Sequence, residues 1–343
     1  MRHLLNTLFV LTEDSYLALD GENVLVLREE ETLGRFPLHA LENILYFGYK
    51  GASPALMGAC AKGETGLCFF SPNGRFLARV CGETRGNVLL RKKQYAVSEN
   101  ETESCLIARN MIAGKLTNAR WVLERATRDH AMRVDVGALK SASAAMAEAA
   151  RLSQETEQPD MLRGIEGQAA SRYFDVFDEL ILQSKQDFYF RTRSRRPPLD
   201  NVNALLSFVY AILSHDCASA LEGVGLDPYV GFLHGDRPGR VSLALDLMEE
   251  LRPCFADRFV LSCVNNRILR SEHFEKSESG AVALTDIGRR AFLTAYQEKK
   301  REEITHPFLD EKLPWGLVPH VQALLLARYL RGDLDAYPPF LWK

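Results

Sequence analysis

The fold class of the first part of the chain is decided by the stretch LFVLTEDSYLALDGENVLVLREEETLGRFPL, residues 8–38. Short apolar and branched runs alternate there with turn-forming residues, and Asp20-Gly21 is a typical hairpin turn. The later segments ENILYFG, GLCFF and GRFLARV continue this pattern, and SPALMGACAKG between them predicts one helix with Ser53 as its N-cap. Residues 1–81 are therefore expected to form a small β-rich domain.

The rest of the chain has a different periodicity. From about Asn87 to the end, apolar residues recur at helical spacing, and β-branched alternation nearly disappears. The segment GETRGN, residues 82–87, has two glycines and no apolar residue, and it is the expected linker. The predicted fold is therefore α+β, with the N-terminal β domain followed by a larger all-α domain at residues 88–343.

Composition and charge are those of an ordinary globular protein. The 343 residues are 46% hydrophobic and 25% charged with a formal net charge of −3, and no apolar run approaches the roughly 18 residues that span a bilayer. Glu13 and Asp14 interrupt the apolar start, so we expect no secretory signal. Seven cysteines without a CxxC pair favour reduced thiols and a cytoplasmic location. The net charge argues against nucleic-acid binding unless basic residues cluster locally.

An acidic residue interrupts the apolar stripe of the helix predicted in MLRGIEGQAASRYFDVFDELI, residues 161–181. At about 100° per residue, Glu166 falls on the same face as Leu162 and therefore points inward. A buried charge needs a partner. The flanking Gly164 and Gly167 cost about 2 kcal/mol of helix propensity, which is best justified by close approach of another backbone or a ligand. Glu166 is either half of a buried salt bridge with an arginine, or a metal ligand or catalytic acid.

A histidine and several acids lie close together in GFLHGDRPGRVSLALDLMEELRP, residues 231–253. His234 precedes a short predicted helix whose polar side carries Asp246 and Glu249 one turn apart. Taken alone, the acids indicate a solvated face and His234 a structural residue. Together with Glu166 they form a plausible set of one imidazole and carboxylates, which suits Mn²⁺ or Mg²⁺ better than a closed zinc site.

A third predicted helix, DNVNALLSFVYAILSHDCASAL at residues 200–221, is apolar on nearly all sides. Its exception is a narrow polar stripe. The stripe consists of Asn203, Ser207, Tyr210 and Ser214. Such groups either support a neighbouring site or form hydrogen bonds between helices.

Positive charge is concentrated in a few segments. RTRSRRPP, residues 191–198, has four arginines and no interleaved acid, and LLRKKQY, residues 89–95, adds further basic residues. Arginines on loops suit phosphate binding, which gives DNA affinity that depends on salt and little on sequence. The candidate DNA-contacting residues are Arg191, Arg193, Arg195, Arg196, Arg91 and Lys92.

Several of these segments, in their order and spacing, resemble one family. They are GIEGQAASRYF, RRPPLDNVNALLSFVYAIL, GFLHGDRPGRVSLALDLMEELRP, GAVALTDIGRRAFLTAYQEKK and the ending QALLLARYLRGDLDAYPPFLWK. They are similar to the universal CRISPR adaptation integrases, the large subunits that insert new spacers. The resemblance covers nearly the whole chain, including the order of a β domain before an α domain. The PPFLWK ending is most similar to subtype I-C.

The resemblance implies a metal-dependent DNA endonuclease and integrase of antiviral defence. It would insert foreign DNA fragments into the CRISPR array by attack of a 3′-hydroxyl on a phosphodiester, with Mg²⁺ or Mn²⁺ as its cofactor. Glu250 is left as a solvated acid. The implied metal ligands and catalytic residues are Glu166, His234 and Glu249, and the implied supporting residues near them are Asp246, Asn203 and Tyr210.

The resemblance also implies partners. They are double-stranded DNA, as spacer precursor and CRISPR repeat, a second copy of the chain, a small ferredoxin-like companion subunit and an iron–sulfur nuclease that processes DNA ends. The β domain would carry much of the dimer contact, and no membrane partner is expected. Basic surface would then be continuous only across the assembly, so the modest net charge of the chain is no objection to DNA binding.

The chemistry of DNA strand transfer agrees with these ligands. A divalent ion can lower the pKa of the attacking hydroxyl and neutralise charge on the phosphate oxygens. Because an imidazole binds a metal only in its neutral form, activity is expected to fall below about pH 6. Two alternatives remain open. One is a metal-dependent hydrolase of small phosphorylated substrates, and the other is a non-enzymatic helical DNA-binding scaffold with Glu166 in a structural salt bridge.

Overall fold

The computed structural model describes residues 7–12, 14–29, 31–63, 65–72, 76–82 and 88–342. Contacts group the chain into two units. The first consists of Met1–Arg85, Leu284–Glu302 and Pro314–Leu317, and the second of Gly86–Ala283, Glu303–Leu313 and Val318–Lys343. This grouping differs from the expected division, which placed residues 88–343 in one domain. The expected linker lies outside the described residues apart from Gly82, and the roles given to the two domains stay predictions.

The N-terminal segment forms the predicted β structure. Its strands are β1 (Thr7–Val10), β2 (Tyr16–Asp20), β3 (Asn23–Arg28), β4 (Glu31–Pro37), β5 (Asn43–Phe47), β6 (Gly66–Phe70) and β7 (Phe76–Val80), and helix α1 (Pro54–Lys62) precedes β6. A four-stranded sheet has the order β1-β5-β6-β7, in which β1, β5 and β6 are parallel and β7 is antiparallel. Strands β2, β3 and β4 form a separate antiparallel sheet.

Two local predictions in this segment are confirmed. Asp20 pairs with Asn23 across the β2–β3 turn, where Gly21 has a φ of +59°, a left-handed conformation that favours glycine. The Oγ of Ser53 caps α1 by accepting the backbone N–H of Leu56 at 3.2 Å. The apolar core between these elements includes Val10, Leu17, Val24, Ile44, Leu56 and Leu67.

The second unit is built mainly from helices. They are α2 (Val88–Ser98), α3 (Glu101–Asp129), α4 (Val136–Glu155), α5 (Pro159–Asp175), α6 (Asn201–Gly223), α7 (Ser242–Leu251), α8 (Arg258–Asn265) and α10 (Val318–Leu330). Helix α9 (Asp286–Arg301) precedes α10 in the chain and belongs to the first unit. A π-helical stretch, Arg252–Asp257, joins α7 to α8.

The prediction that everything after residue 88 is helical is wrong. Two short two-stranded sheets lie in the C-terminal third, β8 (Phe274–Lys276) with β9 (Val282–Leu284) and β10 (Glu303–Thr305) with β11 (Lys312–Pro314). Each strand has three residues, which is too short to show the alternation that marks a strand in a sequence. The mixed α+β class stands, and the all-α description of the C-terminal part does not.

Helix α3 runs through the middle of the second unit and packs against α4, α5 and α7. Gly114 allows this approach, because a Cβ there would lie 3.0 Å from the Cβ of Pro339 and 3.3 Å from the Cγ of Glu250. Side chains of α7 and of the C-terminal segment can therefore lie close to α3. This packing brings together residues that are far apart in the sequence.

Helix α6 is long and apolar enough to cross a membrane by length and composition, which the expectation drawn from apolar runs did not anticipate. In the part of the chain that the structure describes, 72% of its most apolar window is buried inside the fold. It packs against α7 and α10. Its apolar surface is therefore that of a core helix, as its pattern predicted.

Candidate active site

Asp246 organises the loop that carries His234. It is fully buried on α7, and its carboxylate accepts the backbone N–H groups of Phe232 at 2.6 Å, Leu233 at 3.0 Å and His234 at 3.0 Å. A Cβ on Gly231 would lie 2.8 Å from Asp246 Oδ2, so only glycine fits this tight loop. Asp246, which the helical pattern taken alone placed on a solvated face, instead anchors the loop to the helix.

The same carboxylate orients the imidazole. Asp246 Oδ1 lies 2.6 Å from Nδ1 of His234, whose side chain is 25% exposed. Because Nδ1 is held by a carboxylate, Nε2 is the ring nitrogen that remains to bind another group. A carboxylate that fixes the orientation of a ligating histidine is a common arrangement in metal sites.

Glu249 is a buried carboxylate between two cations. Its side chain is 4% exposed, its Oε1 lies 3.2 Å from a guanidinium nitrogen of Arg252, and its Oε2 lies 2.6 Å from Nζ of Lys115. Burial raises the pKa of Glu249, but Arg252 and Lys115 outweigh this effect and lower the pKa to about 2. Glu249 is therefore ionised.

Lys115 joins two helices through one nitrogen. Its Nζ, reaching in from α3, contacts Oε1 of Glu166 on α5 as well as Glu249 on α7. Burial lowers the pKa of Lys115, and the two carboxylates more than compensate, so the pKa is raised overall. The structure thus brings Glu166 and Glu249, predicted from separate segments, onto a single cation.

The environment of Glu166 differs in part from the predicted one. It lies on a buried stripe with Leu162, but its side chain is 26% exposed, and its ion-pair partner is a lysine rather than an arginine. The expected close approach of another backbone at Gly164 and Gly167 is wrong in the described structure, since a Cβ at either position would meet no protein atom within 4 Å. Approach by a ligand at these glycines stays a prediction.

Glu250 is not solvated, contrary to expectation. It is fully buried, its Oε1 accepts the hydroxyl of Tyr337 at 2.6 Å, and its Oε2 accepts Nε2 of Gln322 at 2.9 Å and the backbone N–H of Phe340 at 2.6 Å. Burial raises the pKa of Glu250 to about 8. The C-terminal segment covers this side of α7, which local sequence could not reveal.

The donor atoms are of the types that bind a hard divalent cation, but they are not arranged as a complete metal-binding site. Within the described ranges no three His, Cys, Asp or Glu side chains converge into a metal-binding group, and the ammonium of Lys115 lies between the two glutamates instead. Glu249 Oε2 is buried and accepts no hydrogen bond of normal geometry. Two carboxylates and a free imidazole nitrogen fit Mn²⁺ or Mg²⁺ in ligand type.

Comparison with known proteins identifies the family. The family described as CRISPR associated protein Cas1 matches residues 8–298. The chain belongs to the Cas1 family. CRISPR-associated endonuclease Cas1 1 of Chlorobaculum tepidum is 50% identical over 343 residues, and CRISPR-associated endonuclease Cas1 2 of Rhodospirillum rubrum is 52% identical over 347 residues. Both matches cover 100% of each chain, and they support the predicted class of nuclease.

Solved structures share the Cas1 fold at low sequence identity. A casposase bound to its integration product has a TM-score of 0.83 at 21% identity and covers 98% of this chain and 94% of its own. A CAS1 protein from Thermotoga maritima has a TM-score of 0.82 at 23% identity over 97% and 99% of the two chains. A Cas6-RT-Cas1–Cas2 complex has a TM-score of 0.80 at 20% identity over 98% and 36%. They confirm the mixed α+β fold.

The polar stripe of α6 lies beside the candidate site rather than in it. The hydroxyl of Tyr210 donates to Asp257 at 2.5 Å, and its ring faces the guanidinium of Arg252 at 4.7 Å, so Tyr210 and Glu249 contact the same guanidinium. Asn203 accepts from Arg193 at 2.7 Å and therefore supports the arginine-rich loop. Tyr210 and Asn203 thus form hydrogen bonds to other segments, and their role in supporting a neighbouring site stays a prediction.

One of the arginines predicted to contact DNA, Arg193, forms hydrogen bonds within the protein. Arg193 is partly buried and donates to Asn203 and, at 3.2 Å, to the Oγ of Ser207, and burial lowers its pKa. Arg195 and Arg196 are exposed on the same loop. The remaining candidates are Arg191 and Lys92, both exposed, and Arg91, which is partly buried.

Two residues of the candidate site were missed from the sequence. Arg252 lies three residues after Glu249 and on the same face of the helix, so helical spacing could have found it. Lys115 carries no comparable signal, because its partners are on α5 and α7, 51 and 134 residues further along the chain. Only the packing of α3 identifies it.

Proposed function

We propose that the chain is a divalent-metal-dependent DNA endonuclease and integrase of CRISPR adaptation, which joins a DNA 3′-hydroxyl to a phosphodiester and so inserts new spacers. One observation carries the proposal. Carboxylates from two helices, Glu166 and Glu249, contact a single cationic nitrogen next to an imidazole that Asp246 holds in place. Membership of the Cas1 family, with relatives named as endonucleases, supports the same chemistry.

In the proposed site, Glu166, Glu249 and Nε2 of His234 would hold Mg²⁺ or Mn²⁺. The ion would lower the pKa of the attacking hydroxyl and neutralise charge on the phosphate. Asp246 fixes the imidazole through Nδ1 and keeps Nε2 directed away from itself. Arg252 fixes Glu249 through Oε1 and leaves Oε2 as its second donor atom.

The reaction that we propose is an exchange of bonds at phosphorus. The 3′-oxygen of the incoming DNA forms a bond to phosphorus and its proton is lost to solvent. The bond from phosphorus to the leaving oxygen breaks, and that oxygen takes up a proton from solvent to become a hydroxyl. Attack by water on the same phosphorus gives cleavage instead. Lys115 and Arg252 offset the negative charge of the two glutamates, which lowers the repulsion that a phosphate would meet there.

We also propose the partners implied by the resemblance. The casposase of the same fold is bound to an integration product, and a Cas1 of the same fold is in a complex with Cas2. By analogy, this chain would bind double-stranded DNA, pair with a second copy, and assemble with a small ferredoxin-like subunit and an end-processing iron–sulfur nuclease. A cytoplasmic location and subtype I-C, which rests on the PPFLWK ending, complete the proposal.

A metal-dependence experiment tests the proposed function. Wild-type protein, with and without its companion subunit, is incubated with Mn²⁺ and a labelled duplex that has a free 3′-hydroxyl. Joined product is expected, EDTA should abolish it, and excess Mn²⁺ should restore it. His234→Ala should be inactive with an unchanged circular dichroism spectrum. Wild-type joining by His234→Ala would show that the site is wrong.

Two further assays on the same protein test the two alternative functions, a hydrolase of small phosphorylated substrates and a non-enzymatic scaffold. In a Mn²⁺-dependent phosphatase assay with a small phosphoester, a hydrolase of small substrates would be active and insensitive to added duplex DNA, whereas an integrase would be inhibited or inactive. Calorimetric titration with Mn²⁺ addresses the scaffold. Absence of binding, in wild type and Glu166→Ala alike, would favour a non-enzymatic scaffold with Glu166 in a structural ion pair.

Variants of the arginine-rich loop are expected to differ in DNA binding and in stability. Arg195→Ala/Arg196→Ala is expected to weaken DNA binding and to reduce the slope of log K against log salt by about 2, because each phosphate contact contributes about 0.9. Its stability should be unchanged, since both side chains are exposed. Arg193→Ala should instead lower the free energy of unfolding by about 1–3 kcal/mol through loss of its buried hydrogen bonds. An unchanged salt slope in the double variant would exclude this loop from the DNA surface.

A further inference from the structure

The carboxylates of the proposed site are already neutralised by side chains of the protein. Lys115 is 12% exposed, and its ammonium contacts both Glu166 and Glu249, while Arg252 contacts the other oxygen of Glu249. Two negative charges thus face two positive ones. The cluster is balanced before any ion from solution is added, so a divalent ion would meet competition rather than an empty acidic pocket.

Ammonium and metal would use the same oxygen atoms. Lys115 Nζ lies 2.6 Å from Glu249 Oε2 and also contacts Glu166 Oε1. A magnesium or manganese ion binds carboxylate oxygens at roughly 2.1 Å. An ion bound to both oxygens would therefore be only a few ångströms from Nζ, where two like charges repel strongly in a buried site. The two cations exclude each other from this position.

We propose that Lys115 is an exchangeable internal cation of the site, which holds Glu166 and Glu249 together when no metal is present and must leave them when a divalent ion binds. This inference rests on the proposed function, because it assumes that the two glutamates are metal ligands. It makes Lys115 a positioning residue rather than a metal ligand. It also explains why a lysine is directed from α3 into a pair of carboxylates on α5 and α7.

The released ammonium stays close to the reacting groups. Lys115 is attached to α3 through a flexible four-carbon stem, and a DNA phosphate brings negative charge into the same region. The phosphate can replace the carboxylates as the partner of the ammonium. Metal binding releases the ammonium, which can then pair with the phosphate, and a bound phosphate gives the displaced ammonium a new partner. Each event therefore raises the affinity for the other.

Metal titration of full-length variants tests the exchange. Mn²⁺ alone is titrated by calorimetry into wild type, Lys115→Met, which removes the charge, and Lys115→Arg, which keeps it. Lys115→Met is expected to bind Mn²⁺ at least about tenfold more tightly than wild type, because the competing charge is gone. Lys115→Arg should bind no more tightly than wild type. Lys93→Met removes an exposed lysine that pairs with Glu103 at 3.1 Å, and it should leave the affinity unchanged.

Thermal unfolding supplies a second measurement. Without metal, Lys115→Met should unfold at a lower temperature than wild type, because Glu166 and Glu249 repel each other without the ammonium. Mn²⁺ should raise the unfolding temperature of Lys115→Met by more than that of wild type. Lys115→Gln, which can still donate hydrogen bonds to the carboxylates, serves as a second neutral variant if Lys115→Met does not fold, and it should also bind Mn²⁺ more tightly.

The possible outcomes separate this inference from the proposed function. Equal or weaker Mn²⁺ binding by both neutral variants, with wild-type binding intact, would overturn the exchange and leave the metal site standing. Loss of binding in His234→Ala/Lys115→Met would confirm that the tighter ion occupies this site. Absence of Mn²⁺ binding in wild type and in both neutral variants would overturn the metal site and the exchange together.

Discussion

Glu249→Ala is expected to lower the rate of Mn²⁺-dependent DNA joining by at least about 10²-fold. The substitution removes a donor that no neighbour can replace, since Asp246 is occupied by three backbone N–H groups and the imidazole. It also leaves Lys115 and Arg252 without their shared carboxylate, so the loss of stability is expected to be about 3–5 kcal/mol. Joining is measured with a labelled duplex at a temperature where circular dichroism shows the variant to be folded.

Two further variants separate chemistry from folding in this prediction. Glu166→Ala should lose joining as completely with a smaller change in stability, because its side chain is 26% exposed. Glu249→Asp keeps the charge and a carboxylate donor, and it should retain part of the activity. If folded Glu166→Ala or Glu249→Ala joined DNA at the wild-type rate, these residues could not be the metal ligands.

Glu250→Ala is expected to lower the free energy of unfolding by about 3–5 kcal/mol. The change removes the acceptor of two donors in the core, the hydroxyl of Tyr337 and the N–H of Phe340. Nε2 of Gln322 also loses Glu250 but keeps the hydroxyl of Tyr337 and the carbonyl of Pro338 as acceptors. It should also release the C-terminal segment, whose Trp342 lies between the guanidinium groups of Arg125 and Arg258 at 4.0 and 4.2 Å. Urea unfolding followed by tryptophan fluorescence measures both effects, and Trp342→Phe identifies the local signal.

The pH dependence of stability distinguishes the charge state of Glu250. Burial raises its pKa to about 8 in the folded protein, against about 4.3 in an unfolded chain. The folded state therefore binds more protons between these values. The stabilising contribution of the neutral acid is complete below about pH 4 and is lost as the pH rises toward 8, by roughly 4–5 kcal/mol.

Glu250→Gln is the matched control for this titration. The amide keeps the size of the acid and cannot ionise, so the variant should be close to wild type near pH 5 and should lack this part of the decline toward pH 8. A wild-type protein and a Glu250→Gln variant with parallel stability curves from pH 5 to 8 would show that Glu250 does not titrate in this range. In that case the three hydrogen-bond donors would be keeping the carboxylate ionised.

Features that depend on residues close together in the sequence were predicted well. The hairpin at Gly21, the cap at Ser53 and the core position of α6 follow from local residue preferences, which act over a few residues. The four C-terminal strands were missed because each has only three residues. The arginine-rich loop was placed on the surface correctly for Arg195 and Arg196, but Arg193 turns inward to α6.

By itself, the sequence determined the α+β class, the helices that carry the site and the unusual inward direction of Glu166, because each depends on neighbours within a few residues along the chain. It also carried the family resemblance. It did not determine which acids of α7 are buried. A helical wheel assigned Asp246 and Glu250 to a polar face, and that face is covered by the loop of His234 on one side and by the C-terminal segment on the other.

Only the tertiary structure decided the electrostatics of the site. Lys115 pairs with two glutamates because α3 packs against both α5 and α7, and no spacing in the sequence encodes that contact. Charge interactions depend on distance in space and on burial, whereas periodicity reports only the direction of a side chain around its own helix. The identity of the candidate ligands could therefore be read from the sequence, and the cation that holds them could not.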